Sequence, residues 1–196
     1  EQTIGVNGVS ANVLCKSHNS ALSRLDTVAG RFFGRLSEAH QRVSVPGELF
    51  QNLVFAFNGH DLERWMLKCL CGYIASGTAA HNDVSIPKGI PPKYFLNVLF
   101  GLDTLPSTWG LYLLRDSEPA SVNFAPLVNK NSPGGAVIVG CLVVICGLQF
   151  VLAMQPSPSN RRKDLLEGSL YRRAELVYRS AQGGREVTII LGWTEQ

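Results

Sequence analysis

Residues 135–154 form an almost uninterrupted apolar run, GAVIVGCLVVICGLQFVLAM, in which Gln149 is the one strongly polar side chain. Twenty such residues are enough to cross a bilayer as a single helix, and Arg161, Arg162 and Lys163 follow at a distance suited to an anchor. The make-up of the run points elsewhere. Valine and isoleucine dominate it, and Gly140 and Gly147 interrupt it, as expected of two buried strands that meet at a turn near Cys146-Gly147. No second run of this kind occurs. The expectation is therefore a buried hairpin, with a transmembrane helix as the disfavoured alternative.

A buried hairpin needs a body around it. The chain has 196 residues and is 45% hydrophobic, enough for one domain with a sizeable core, and this excludes a disordered or collagen-like polymer. Charged residues are 17% of the chain against an average of about 25%, so the surface is thin in charge or is covered by a partner. Five cysteines, an odd number in a chain this hydrophobic, argue against a disulfide framework and for a reducing compartment, so an intracellular, cytoplasmic location is expected. The chain opens on Glu1 in strand-like sequence without a signal peptide, which predicts that further residues precede it in the whole protein.

Short-range signals order the rest. Asn7-Gly8 lies between two strand-like pieces and predicts a hairpin. A helix follows, capped by Ser20 or Ser23, with Leu22, Leu25, Val28, Phe32 and Leu36 along one face to about His40. Residues 52–57 read as a strand. Asn58-Gly59 then turns the chain into a second helix beginning near Asp61, with Leu62, Trp65, Met66, Cys69, Leu70, Tyr73 and Ile74 as a wide apolar stripe. Glu63, Arg64 and Lys68 are left for its other side. A short helix over 93–100 ends at Gly101. Beyond it the signals are mostly strands: 109–115, 122–127, the pair within 135–154, 170–179 and 186–193, the last two joined by a Ser-Ala-Gln-Gly-Gly loop. Helices first and strands later predict an α+β fold with a helical middle and a mostly antiparallel C-terminal half. The chain divides into a segment 1–45 and a body 46–196, which can equally form one continuous domain.

Between the predicted hairpin and the first helix stands Leu14-Cys15-Lys16-Ser17-His18-Asn19, followed by Leu22-Ser23-Arg24-Leu25-Asp26. A thiol and an imidazole three positions apart at a strand-to-helix junction suit one metal ion, and a structural zinc needs four such ligands. This segment resembles the HNH endonucleases of the ββα-metal, treble-clef class, in which a knuckle of the form L-C-x2-H-N opens the helix; the resemblance covers residues 3–40. It implies a treble-clef-like hairpin and helix, Cys15 and His18 as ligands of zinc or another divalent metal, Asn19 as a positioning residue, and metal-assisted phosphodiester hydrolysis if the other half of the site exists. In the family, the second knuckle and the water-activating histidine precede the hairpin. No residue of this chain matches either, so the catalytic residues are unassigned. The bland alternative for Cys15 and His18 is a small buried thiol and a helix-capping imidazole.

Other chemistry-bearing residues carry less. Cys69 and Cys71 are two apart on a helix and point about 200° from each other, which favours core packing over a shared metal. The same role is expected of Cys141 and Cys146. His60 and Asp61 sit at a helix start, where Asp61 is ordinary capping chemistry, and neither His40 nor His81 has a nucleophile or carboxylate at motif spacing. No phosphate loop, nucleophile elbow, H-E-x-x-H or dinucleotide fingerprint occurs.

Charge is unevenly placed. Residues 156–185 hold seven basic and three acidic side chains, a net of +4, out of totals of 18 and 15 that give +3 for the chain. If 170–179 is one strand, Arg173 and Arg179 share a face with Tyr171, with Arg172 opposite. Arg161, Arg162, Lys163, Arg172, Arg173 and Arg179 thus form a candidate DNA or RNA surface, the alternative being a solvated sheet face with gatekeeping arginines. The expected function is a nuclease-related, nucleic-acid-interacting protein with a truncated or degenerate HNH-type segment; whether it is an enzyme depends on the missing half-site. The alternative is a non-catalytic module that binds a protein partner or forms a homo-oligomer.

Overall fold

A computed structural model describes residues 16–44, 52–77, 80–81, 84–85, 89–106, 109–115, 123–129, 137–154, 169–179 and 186–193. The first helix, α1 (Lys16–Ser44), buries Leu22, Leu25, Ala29, Phe32, Leu36 and Ala39, the three- and four-residue recurrence of one helical face. It begins before the serines expected to cap it. Ser23 Oγ instead donates back to the Ser20 carbonyl at 2.8 Å, the bond open to a hydroxyl already inside a helix. The hairpin predicted around Asn7-Gly8, and with it the treble-clef detail, lies outside the described residues.

Strand β1 (Leu53–Asn58) alternates between half-buried and exposed positions and delivers Asn58 as the cap of α2 (Gly59–Ser76). Asn58 Oδ1 accepts the N–H groups of His60 and Asp61 at 2.9 and 3.3 Å. Gly77, at φ +69°, closes α2 in the left-handed conformation. A two-residue pair, β2 (Ala80–His81) and β3 (Val84–Ser85), leads to α3 (Lys93–Leu99).

The remaining strands are β4 (Gly110–Arg115), β5 (Asn123–Asn129), β6 (Val137–Ile145), β7 (Leu148–Ala153), β8 (Leu170–Tyr171), β9 (Glu175–Arg179) and β10 (Glu186–Gly192). The apolar run is a hairpin, β6 and β7, paired in register from Gly140↔Ala153 to Ile145↔Leu148. Its two-residue turn has Cys146 at φ +51° and Gly147 at φ +72°, the positive pair that a tight, strongly twisted hairpin requires. Among the described residues no helix is long and apolar enough to cross a membrane.

Two sheets carry the fold. One is five-stranded and antiparallel in the order β5-β6-β7-β4-β8; the other is β1-β10-β9, in which β1 runs parallel to β10 and β9 antiparallel to it. The architecture is mixed α+β with mostly antiparallel sheets. Helix α2 touches β6 and β7 of the larger sheet and β10 of the smaller, while α1 lies against α2, β9 and β10. One continuous core results, joining Phe32 of α1, Leu70 of α2, Phe150 of β7 and Ile189 of β10.

Residues 170–179 are not one strand. The chain pairs with β4 through β8, bends at Arg172 with φ +42°, and continues as β9 beside β10 in the other sheet. The Arg172 N–H donates to the Leu111 carbonyl at 2.9 Å and its side chain turns to Glu63, so two anchors hold the corner open. Tyr171, Arg173 and Arg179 therefore do not share a strand face.

Candidate functional site

The first two turns of α2 place His60, Asp61, Glu63 and Arg64 beside the Arg172 corner. Periodicity assigns Glu63 to the outer side of the helix, yet only 2% of it is exposed. A carboxylate is buried this deeply only when donors replace its water. Arg172 donates to it twice, Nε to Oε1 at 2.9 Å and Nη2 to Oε2 at 3.2 Å, and the Leu111 N–H donates to Oε1 at 2.9 Å. His60 Nδ1 lies 3.2 Å from Oε2, one turn back on the same helix.

The close approach is set by glycines. A Cβ on Gly110, where φ is +133°, would collide with Glu63 Oε1, so only glycine lets β4 come up to the carboxylate. Gly59 does the same for Trp193, whose indole occupies the space a Cβ would take. Trp193 Nε1 donates to the Arg173 carbonyl at 3.1 Å, and the Arg172 guanidinium lies 5.6 Å from the Trp193 ring and 5.3 Å from the Tyr171 ring. His60 meets the indole edge-on at 5.4 Å.

Beside this cluster is a cavity of about 280 Å³, lined by His60, Glu63, Arg64, Asp103, Thr104 and Arg172, with Val98 and Leu105 as apolar wall. Arg64 closes one end. Its Nε and Nη2 donate to the Leu99 carbonyl at 3.1 and 2.9 Å, placing a cation at the C-terminus of α3. Asp61 lies 3.6 Å from Arg64 and 3.6 Å from Arg24 of α1. Burial lowers the pKa of the Arg64 guanidinium and the neighbouring charge of Arg24 lowers it further, while Asp61 opposes both.

Of the residues singled out by sequence, two of those described line this cavity: Arg172, expected on a nucleic-acid surface, and His60, expected as an ordinary helix-start residue. His18 is exposed in the first turn of α1, its ring 5.3 Å from that of Phe100. Phe100 immediately precedes Gly101, which faces Arg64 across the cavity rim. Asn19 is exposed on the next position. Arg173 is exposed with its Nε donating to the Glu175 carbonyl at 2.9 Å, and Arg179 pairs with Glu186 at 2.9 Å. Cys15, Arg161, Arg162 and Lys163 lie outside the described residues. Sequence reasoning placed Glu63 on the outer side of α2 and gave no role to Gly110 or Trp193, and the single signal for Glu63 is an acid standing between Leu62 and Met66 in an apolar stripe.

Among the described residues no group of three or more His, Cys, Asp or Glu side chains is arranged to hold a metal. His18 is one donor where zinc needs four, so the residues described do not by themselves fit the ion. Cys71 and Cys141 are buried in the core, and Cys141 Sγ donates to the Met66 carbonyl at 3.6 Å. Burial pushes the thiols of Cys69 and Cys71 up to about 12 and raises that of Cys141. At pH 8 a thiol of that pKa is about one part in ten thousand thiolate. Cys69 and Cys71 in the native protein are therefore expected to alkylate roughly 100-fold or more slowly with iodoacetamide than in guanidinium, read by peptide mass mapping; equal rates would show the thiols to be open.

Comparison with known families, with curated proteins and with solved structures finds no match to this chain.

Proposed function

We propose that this chain is a nuclease-related protein that binds nucleic acid. The observation that supports this reading is the interleaving of basic and aromatic side chains at the corner between the two sheets: Tyr171, Arg172, Arg173 and Trp193. Phosphates need cations and bases need flat apolar faces, and the corner supplies both within a few residues. The sequence resemblance adds Cys15 and His18 as two ligands of zinc or another divalent metal, with Asn19 positioning, and implies phosphodiester hydrolysis as the chemistry. The bidentate pair of Arg172 with Glu63 makes Arg172 a positioning residue that holds the corner, leaving Arg173 as its exposed cation.

Salt titration tests the binding. If the basic segment neutralises about three phosphates, log K should fall linearly with log salt at a slope of roughly −2. A flat response would overturn the reading. Metal analysis tests the other half: the whole protein, if it supplies the two further ligands that a structural zinc needs, should retain zinc, and its Cys15→Ser/His18→Ala variant should lose it.

A second reading has its own observation. Val54, Ile190 and Val177 are exposed on the outer face of the β1-β10-β9 sheet, where Val54 and Val177 flank Thr188 and Ala56 lies beside Ile190. Such a face suits a non-catalytic module that binds a protein or a second copy of itself. The same titration separates the two, because an apolar interface barely responds to salt.

A further inference from the structure

We infer that the ligand of the Arg172 corner is single-stranded nucleic acid, with a base stacked on Tyr171; this rests on the nucleic-acid reading above. Tyr171 is 40% exposed, yet its ring is held in place. Its hydroxyl donates to the Trp109 carbonyl at 3.0 Å, and Tyr112, its partner across the β4–β8 pair, lies 5.0 Å away at a 46° tilt. The Arg172 guanidinium, itself fixed on buried Glu63, lies over one face of the ring, 5.3 Å from its centroid, so the base would stack on the other face. An exposed aromatic ring held on three sides loses little further freedom when a flat partner covers it, which is the property of a stacking platform.

The chemistry selects the form of the strand. In a duplex the base faces are already covered by their neighbours, and a protein meets only groove edges and phosphates. A surface ring can engage only a base whose face is free, as in single strands, loops and ends. Arg173, next in the chain and exposed, supplies a cation for the adjoining phosphate. Stacking of this kind tolerates any base, so affinity should follow strand form more than sequence.

The test uses the full chain and fluorescein-labelled oligo(dT) of about 15 nucleotides, a length within the usual single-strand site range, against a mixed-sequence duplex of equal length. Fluorescence anisotropy should show the single strand bound at least tenfold more tightly. Tyr171→Ala should weaken single-strand binding about tenfold and leave duplex binding unchanged, while Tyr171→Phe, which keeps the ring, should retain most of the affinity. Tyr171→Trp supplies a readout independent of affinity: indole emission should fall when a base stacks on it. Equal or tighter duplex binding, or a Tyr171→Ala variant that binds the single strand as well as the parent, overturns the inference and leaves the broader reading standing. Binding of neither form overturns both.

Discussion

Replacing Glu63 by alanine is expected to destabilise the protein by about 3–5 kcal/mol, the range for removing one partner of a buried ion pair. The carboxylate receives two bonds from Arg172 and one from the Leu111 N–H. Without it the Arg172 guanidinium is left without its counter-charge and the Leu111 N–H without its acceptor. Urea denaturation measures the loss. Arg172→Ala should cost a similar amount, because it leaves the Glu63 carboxylate, 2% exposed, without its cation. The double variant should fall well short of the sum, since the second substitution removes the group that the first left unpaired. Strict additivity would mean that the two side chains do not act as a unit, and Arg172 would lose its positioning role.

Phe32→Ala is expected to cost about 3–5 kcal/mol for a different reason, the cavity left by a large aromatic side chain in a packed core. Phe32 is fully buried and meets Phe33 at 5.1 Å, Phe57 of β1 at 5.3 Å and Phe150 of β7 at 5.6 Å, each edge-on or nearly so. It joins α1 to both sheets. The loss should therefore appear in one transition, with tryptophan fluorescence and far-ultraviolet circular dichroism moving together. A cost below about 1 kcal/mol, or two separated transitions, would show that α1 is a satellite and that the chain divides near residue 45.

How far the fold was legible depended on how local each rule was. The stripe of α1 from Leu22 to Leu36 and that of α2 from Leu62 to Leu70 follow from helical geometry alone. The β6–β7 turn follows from a glycine at the centre of an apolar run. The parallel partnership of β1 with β10 was not legible, because Leu53 and Val187 are separated by most of the chain and nothing in either strand specifies the other. The same is true of the candidate site. Glu63 reads as a surface acid until Arg172, 109 residues away, is brought to it. Residues 170–179 read as one strand because alternation continues through them, whereas the side chain that bends the chain answers to a carboxylate on another element.

The sequence by itself determined the class of the main elements: two long amphipathic helices, a short third one, and an apolar hairpin turned at Cys146-Gly147. Those outcomes rest on backbone sterics and on the spacing of apolar side chains within a few residues, and both are written along the chain. Tertiary structure alone decided which strands would share a sheet, that Glu63 would be buried and not solvated, and that Arg172 would carry the chain from one sheet to the other. Burial of a charge is a property of a pair, and the pair exists only after folding has excluded water from both members. The buried ion pair, the Tyr171 platform it braces and the cavity beside it are products of that exclusion.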